Sequence, residues 1–396
     1  MNRWIRENMK RIYFDNNATT KVAPEVLEAM LPYLGETFGN PSSVHSYGRE
    51  AKAALDHARQ QVARFIKADP NEIVFTSGGT ESDNLAIRGI IDSSAGPGKH
   101  IISTVIEHPA VLHTCQSLQK NGVQVTYARV DAEGRIDPQE VKASIRPDTV
   151  LISVMHSNNE TGTIQPLREI AEIANEHDIY FHTDAVQAAG KVPLDVNEIG
   201  VDLLSIAGHK FHAPKGIGAL YVRKGTRLRP LIFGGGHERS RRAGTENVPQ
   251  IVGLGMAAEL ALNQLEERAV KMAELRDEFE RKVIEQIPEV SVNGSTSHRI
   301  PNTSNLRFED VDSEALVINL DLAGIACSTG SACTSGSIEP SHVLLALGLS
   351  PEKAFNSVRF SFSRYSTLED ADEVVNLLPR VVRRLRLMTP QGIAKY

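Results

Sequence analysis

The sequence predicts an α/β fold, with a large mostly parallel sheet followed by a smaller α+β unit, and three features carry this expectation. From residue 72 to about 225, short apolar runs alternate with amphipathic stretches, the pattern of a parallel sheet covered by helices on both faces. The stretch 255–287 is almost free of glycine and proline and has helical periodicity, so it reads as a long helix leading out of the first unit. At 396 residues the chain is also longer than one ordinary domain of roughly 100 to 200 residues.

Seven apolar runs, at 73–76, 101–105, 123–130, 150–155, 179–182, 203–206 and 217–222, give a seven-stranded sheet. Several are followed at once by polar residues, and in open α/β sheets ligands bind beyond the carboxyl ends of the strands. The smaller unit is expected to hold a strand at 304–308, a helix at 313–322, a strand at 357–362 and a last helix near 368–387. The expected division is a large unit over 13–260 and a small one formed by 1–12 and 261–396. Residues 1–8 precede a second methionine, Met9, and read as a polar extension.

Composition narrows the function classes. Hydrophobic residues at 41%, charged residues at 23% and a formal charge of -6 leave no basic excess to attract a phosphate backbone or an anionic membrane. No apolar run reaches the ~20 residues that cross a bilayer, and the start lacks the apolar centre of a secretion signal, so a cytoplasmic protein is expected. The three cysteines, Cys115, Cys327 and Cys333, show no paired spacing, which argues against a disulfide framework or a metal cluster.

Chemistry gathers after the strands. VDLLSIAGHK ends an apolar run with His209 and Lys210, and a lysine amine there can form a Schiff base with a cofactor aldehyde. Taken alone, such a lysine is ordinarily a solvated loop charge. In IYFHTDAVQ, Asp184 follows another strand and can keep a pyridine nitrogen protonated, while Gln187, one helical turn on, faces the same way. The strand ending at Thr76 runs into SGGTESDN, where Gly79 and Thr80 open a helix whose amides suit a phosphate. This loop matches neither the dinucleotide fingerprint nor the ATP-binding P-loop. His108, after IISTV, can stack on a ring and shuttle protons. Asn159, in HSNNETG, can donate to a ring oxygen or a substrate carboxylate, or simply make a turn.

Nine ordered signatures spread over the whole chain then carry a resemblance. They are YFDNNATT at 13–20, GNPSSVHSYG at 39–48, TSGGTESDN at 76–84, EHPAV at 107–111, NNETG at 158–162, HTDAVQ at 182–187, GHKFHAPKG at 208–216, RRAGTENV at 241–248 and GSACTSGS at 330–337. With them the chain resembles the cysteine desulfurases of the NifS/IscS type, within the class V aminotransferase-like family of pyridoxal-phosphate (PLP) enzymes of fold type I. The resemblance implies pyridoxal 5'-phosphate as cofactor, with Lys210 as the Schiff-base lysine, Asp184 as the pyridinium partner and His108 as the stacking acid/base. Gln187 and Asn159 become ring or substrate contacts, and Thr80 and His209 hold the phosphate. Thr245 is expected to reach the cofactor phosphate of the other subunit, which implies a homodimer with shared sites.

One position departs from the family. A serine commonly sits three residues before the lysine and binds phosphate, and here that position is Ala207. Ser205 shares its strand face but is displaced by about 7 Å along the strand, so it is not a replacement.

Cys333 lies in a Gly/Ser-rich stretch without periodicity, expected to be an exposed loop able to meet substrate sulfur and then carry it away. Cys327, beside apolar residues, and Cys115, on a helix face, read as packing residues. Arg359, in SVRFSFS, can fork onto a substrate carboxylate, and the family places its carboxylate arginine there. The expected reaction has L-cysteine displace Lys210 from the cofactor and lose its α-proton, after which Cys333 takes the sulfur as a persulfide and L-alanine leaves. An aminotransferase shares the lysine and aspartate but gives the Cys333 stretch no task, and a non-enzymatic sulfur carrier has no use for Lys210. Selenocysteine lyase activity is a close variant. Arg380, Arg383, Arg384 and Arg386 on the last helix can dock an acidic iron-sulfur scaffold protein or form a solvated basic face. Nitrogenase maturation, general cluster assembly and tRNA thiolation are all compatible destinations for the sulfur.

Overall fold

The computed structural model describes residues 10–96, 99–329 and 339–388. The chain enters through a short strand, β1 (Ile12–Tyr13), and two helices, α1 (Pro24–Leu34) and α2 (Ser46–Phe65). Strict alternation follows: β2 (Ile73–Thr76), α3 (Gly79–Ser93), β3 (His100–Thr104), α4 (Pro109–Gln119), β4 (Gln124–Ala128), α5 (Pro138–Ala143), β5 (Thr149–Ser153), α6 (Leu167–Glu176), β6 (Tyr180–Asp184), α7 (Val196–Ile199), β7 (Leu203–Ala207) and β8 (Gly218–Val222). The long helix α8 (Val248–Gln286) leads to β9 (Val290–Val292), β10 (Thr303–Phe308), α9 (Ser313–Leu322), β11 (Ile325–Ala326), α10 (His342–Ala346), α11 (Pro351–Phe355), β12 (Ser357–Ser361) and α12 (Leu368–Arg386).

The expected seven strands form one sheet in the order β2-β8-β7-β6-β5-β3-β4, and only β8 runs against the rest. Strands β2, β3, β7 and β8 are buried along their whole length, which explains their nearly continuous apolar sequence. β4 is an edge strand and partly exposed, so polar Gln124 and Thr126 are tolerated there. Because the strands β2, β3, β5, β6 and β7 are mutually parallel in direction, their carboxyl ends share one edge of the sheet. That edge is where the polar residues follow.

Helix α8 starts at Val248 rather than at 255. Two glycines within it, Gly253 and Gly255, sit where a Cβ would meet Met30 at 2.7 Å and the Gln61 side chain at 2.5 Å. They serve close helix packing against α1 and α2 rather than a break. The expected division at 260 therefore falls inside a continuous helix. Its first half, with Ile251, Leu254 and Ala261, packs into a core shared with the sheet, and its second half, with Leu275, Phe279 and Val283, packs into another. That second core holds Phe308, Phe360 and Phe362, the inward face of α12, and also Ile12 and Phe14 from the start of the chain. A small antiparallel sheet, β12-β10-β9, and the parallel pair β1-β11 complete it. No helix among the described residues is long and apolar enough to cross a membrane.

Candidate active site

Lys210 ends a short 3-10 turn, Gly208–Lys210, directly after β7. Gly208 is required there, because a Cβ would meet Ala213 at 2.9 Å and Ile217 at 3.0 Å. The Lys210 amine donates to two backbone carbonyls of the N-terminal segment, Asn17 O at 2.5 Å and Ala18 O at 2.9 Å. Asp184 ends the neighbouring strand β6, paired in register with Ser205 of β7. Its carboxyl is 6% exposed and accepts from the Val186 N–H at 2.9 Å. Burial raises this carboxyl to about 6, while the Val186 N–H and the Lys210 charge pull the other way. An apolar setting thus holds a carboxylate that a nearby positive charge can ionise.

His108 is the N-cap of α4, with Pro109 at the first helical position. Its Nδ1 accepts from the Ala110 N–H at 3.1 Å, so the neutral ring carries its proton on Nε2. Burial lowers its basicity to about 4, and the charge of Lys210 adds to the effect. His108 therefore stands as a neutral Nε2–H donor beside the lysine, poised to exchange one proton. His209, hydrogen-bonded to Thr19 at 3.2 Å, is likewise pushed down to about 4 by burial and then by Lys210.

The loop before α3 arrives at the same edge. Gly78 has φ +154, and the helix begins at Gly79 with no side-chain cap. Its first amides lack intrahelical partners by geometry and suit a phosphate. A Cβ on Gly79 would meet Val186 at 2.8 Å and Ala207 at 3.5 Å. The loop is thereby pressed against the residue two beyond Asp184 and the residue three before Lys210. Thr80 is exposed. Ala207 is buried at 1%, and Ser205 is committed to His182 at 3.0 Å, so no hydroxyl replaces the missing serine from that strand.

Gln187 lies in a series of turns rather than in the expected helix, with Ala188 N and Ala189 N both closing on Ala185 O. Its amide nitrogen donates to Asn17 O at 3.1 Å, the same carbonyl that takes the Lys210 amine. Asn159 contributes through its backbone: its carbonyl accepts from Asn17 Nδ2 at 3.2 Å and from Arg359 Nη1 at 2.9 Å. Arg359 is 3% exposed on β12 and is also bound by Asp15 Oδ1 at 2.9 Å, and its Nε has no hydrogen-bond partner among the described residues. The guanidinium is thus aimed before any substrate arrives.

Asn17 was not singled out by the sequence, although it stands in a quoted signature, and it is the hub of the site. At 1% exposure it joins Lys210, Gln187 and Asn159, and its side chain also reaches Thr303 at 2.8 Å and Asn302 at 3.0 Å. Asp15, Lys191, Glu107 and His342 were likewise passed over. Repeated Asn and Asp in YFDNNATT, between a strand and the first helix, were the available signal, since such residues form local hydrogen bonds instead of regular structure. Beneath Asp184 lies a buried polar layer, with His182 bound to Ser153 at 2.9 Å and to Ser205 at 3.0 Å. Its contact with Asp83 at 3.6 Å is not an ion pair: burial holds the ring down at about 3 and raises the Asp83 carboxyl well above its ordinary range.

Cys333 lies outside the described residues. The chain on either side of 330–338 is rooted at the site. Ser328 exchanges backbone hydrogen bonds with Arg359 at 2.7 and 3.1 Å. Ser341 donates to Glu160 at 2.5 Å, and His342 bonds the carbonyl of Glu107, next to His108, at 3.0 Å. Cys115 and Cys327 are buried, and burial pushes the Cys115 thiol up to about 12 and the Cys327 thiol higher still. In both, burial disfavours the thiolate, the form that acts as a nucleophile. Thr245 is exposed and follows a strained turn in which Glu238, Arg239 and Ser240 all have positive φ.

Comparison with known proteins gives the family. Residues 12–374 match the Aminotransferase class-V family. The chain is 51% identical over 383 residues to "Cysteine desulfurase IscS" of Dictyoglomus turgidum, covering 96% of this chain and 97% of that one. It is 52% identical over 387 residues to "Cysteine desulfurase IscS" of Methanosarcina thermophila, covering 98% and 96%. A solved "NIFS-LIKE PROTEIN" superimposes with a TM-score of 0.89 at 37% identity, over 94% of this chain and 99% of that chain. The structure "SspA in complex with cysteine" does so with 0.80 at 42% identity, over 90% and 100%. The chain belongs to the class-V aminotransferase family, in its cysteine desulfurase branch of the NifS/IscS type.

Proposed function

We propose that this protein removes the sulfur of L-cysteine, releases L-alanine and holds the sulfur as a persulfide on Cys333. One observation carries the reading: Lys210, Asp184 and His108 converge on one sheet edge facing Arg359, and both roots of the 330–338 segment are bonded to that site.

Pyridoxal 5'-phosphate fits the residues present. The α3 amides beside Gly79 and Thr80 would take the phosphate together with His209, the buried Asp184 carboxylate would take the ring nitrogen, and Gln187 would donate to the ring oxygen. When bound, the cofactor supplies an aldehyde for the Lys210 amine and a ring that accepts the electrons of a broken Cα–H bond.

The chain's own groups do the rest. Arg359, held by Asp15 and the Asn159 carbonyl, forks onto the substrate carboxylate and fixes which end of cysteine faces the lysine. Lys210, once released, takes and returns the α-proton, and neutral His108 donates or recovers a proton through Nε2. The Cys333 thiolate takes the substrate sulfur as the Cβ–S bond breaks and an S–S bond forms. The electron pair left on the three-carbon fragment is returned by protonation as a C–H bond of alanine, so no outside oxidant or reductant is needed.

Homodimerisation is part of this reading. Thr245 is exposed and free to serve a partner's phosphate, and Leu27, Leu31 and Leu34 on α1, with Phe38 and Val44, expose a large apolar face. An acidic iron-sulfur scaffold protein is the acceptor that suits exposed Arg380, Arg383 and Arg384, while Arg386 is committed to the carbonyls of Glu309 and Pro288. Unpaired thiols at Cys115 and Cys327 suit a reducing cytoplasmic setting.

The test is product analysis. The holoenzyme with L-cysteine and a thiol reductant should yield alanine and sulfide in equal amounts. Amino transfer to a keto acid in place of sulfide release would overturn the assignment in favour of an aminotransferase.

A further inference from the structure

Lys191 is a lysine that the reaction does not use, and its burial is unusual. It is 4% exposed, and its amine donates to the Gln187 backbone carbonyl at 2.9 Å and to the Gln187 side-chain oxygen Oε1 at 2.8 Å. The charges that face it are those of Lys210 and Arg359, with His209 and His212 close by. No carboxylate is bonded to it among the described residues. Burial and these like charges push its basicity far down. A lysine in such a place is costly to the fold, and an apolar chain of the same length would fill the volume more cheaply.

What it does to Gln187 is specific. An amide can present either its oxygen or its NH2 in a given direction, and here the Lys191 amine donates to the oxygen. Charged or neutral, Lys191 has hydrogens for both Gln187 oxygens. With Oε1 claimed from behind, the NH2 is the end that points toward Asn17 O, the carbonyl shared with the Lys210 amine. One N–H is used there and the second remains for a ligand at the lysine. Gly190 makes the approach possible: its φ is +73, and a Cβ would meet Phe211, the residue after Lys210, at 2.7 Å.

We infer that Lys191 is a positioning residue that locks the Gln187 amide with its NH2 toward the cofactor, so that the site always offers a donor, never an acceptor, to the cofactor's ring oxygen. The inference rests on the cofactor reading above and assigns a second layer behind it. A donor at that oxygen favours its anionic form and shifts the pH at which the bound cofactor changes colour.

The experiment uses full-length protein loaded with pyridoxal phosphate and follows three quantities: the pH midpoint of the visible absorption band, the affinity of the apoprotein for pyridoxal phosphate, and the thermal midpoint of the apoprotein. Lys191→Met should raise the pH midpoint by about one unit, the scale of one lost hydrogen bond to a charged group. Lys191→Gln, which keeps one donor for Gln187, should recover part of the shift and guards against a variant that does not fold. In a Gln187→Leu background the Lys191→Met shift should vanish, because the lysine acts only through that amide. An unmoved midpoint in Lys191→Met, or a shift that persists in full without Gln187, overturns the role of Lys191. A wild-type protein that takes up no pyridoxal phosphate overturns the cofactor reading beneath it, an outcome separate from the first two.

Discussion

Lys210 and Arg359 serve one site from scaffolds of different kinds. Lys210 and Asp184 are delivered by adjacent parallel strands of one buried sheet, whose register alone brings their ends together. Arg359 comes from a separate antiparallel sheet with its own core, and it is aimed by two groups borrowed from elsewhere, Asp15 and the Asn159 carbonyl. On the proposed reading the cofactor side is built into the fold, whereas the substrate side is assembled by residues 15–17, which touch both.

Lys210→Ala attacks the first side and should have the largest effect. Alanine formation should fall by roughly a thousandfold or more, with the visible band of the lysine-bound cofactor absent, as expected when a covalent catalyst is removed. Retention of both would break the comparison at its root.

Arg359→Lys attacks the second side alone. It keeps the charge and loses the two-pronged geometry, so KM for cysteine should rise roughly 10- to 100-fold while the cofactor spectrum is unchanged. A changed spectrum with unchanged KM would show that the arginine serves the cofactor instead.

Asn17→Ala tests the joint. Three side-chain hydrogen bonds are lost, a part-buried one to Asn159 and buried ones to Thr303 and Asn302, and the apoprotein should lose roughly 2 to 3 kcal/mol of stability. KM should rise as well, measured by steady-state kinetics, because the Asn159 carbonyl that aims Arg359 loses its anchor. A variant with normal stability and normal KM would show the two sides to be independent.

A last effect is confined to pH. Glu107, fully buried beneath the site, is raised to about 8 by burial, although it accepts from Thr104 and Met155 N. A raised carboxyl favours the fold while it is protonated, and that advantage is lost as pH rises from the ordinary glutamate value through about 8. Glu107→Gln is permanently neutral, so its stability relative to wild type should grow by up to about 1.4 kcal/mol per pH unit between roughly pH 4.5 and 8. Urea unfolding at several pH values reads this directly, and a pH-independent difference would mean that Glu107 is ionised in the fold.

The cofactor side was legible in the sequence because strand ends are. Continuous apolar runs marked β6 and β7, and Asp184 and Lys210 stand among the polar residues that close or follow them. The glycine pair before α3 and the proline after His108 marked helix starts at the same edge. The joint was not legible. Asn17 works through its backbone carbonyl as much as its side chain, and a carbonyl has no residue signature. Asn159 also acts through its carbonyl, although its side chain drew attention. Lys191 reads as an ordinary solvated lysine near a turn, since nothing local shows that Gly190 folds it inward over Phe211. Helix α8 starts earlier than the expected 255, and Gly253, like Gly255, is accommodated by close packing against α1 and α2.

The proposed function requires an amine at 210 and a thiol at 333 to act on one substrate sulfur. Mass spectrometry of the protein after addition of L-cysteine, without reductant, tests it most directly. One added sulfur atom is predicted on the peptide containing Cys333, absent when Lys210 is replaced by alanine. Sulfur on the peptides of Cys115 or Cys327, or on Cys333 regardless of Lys210, would contradict the account.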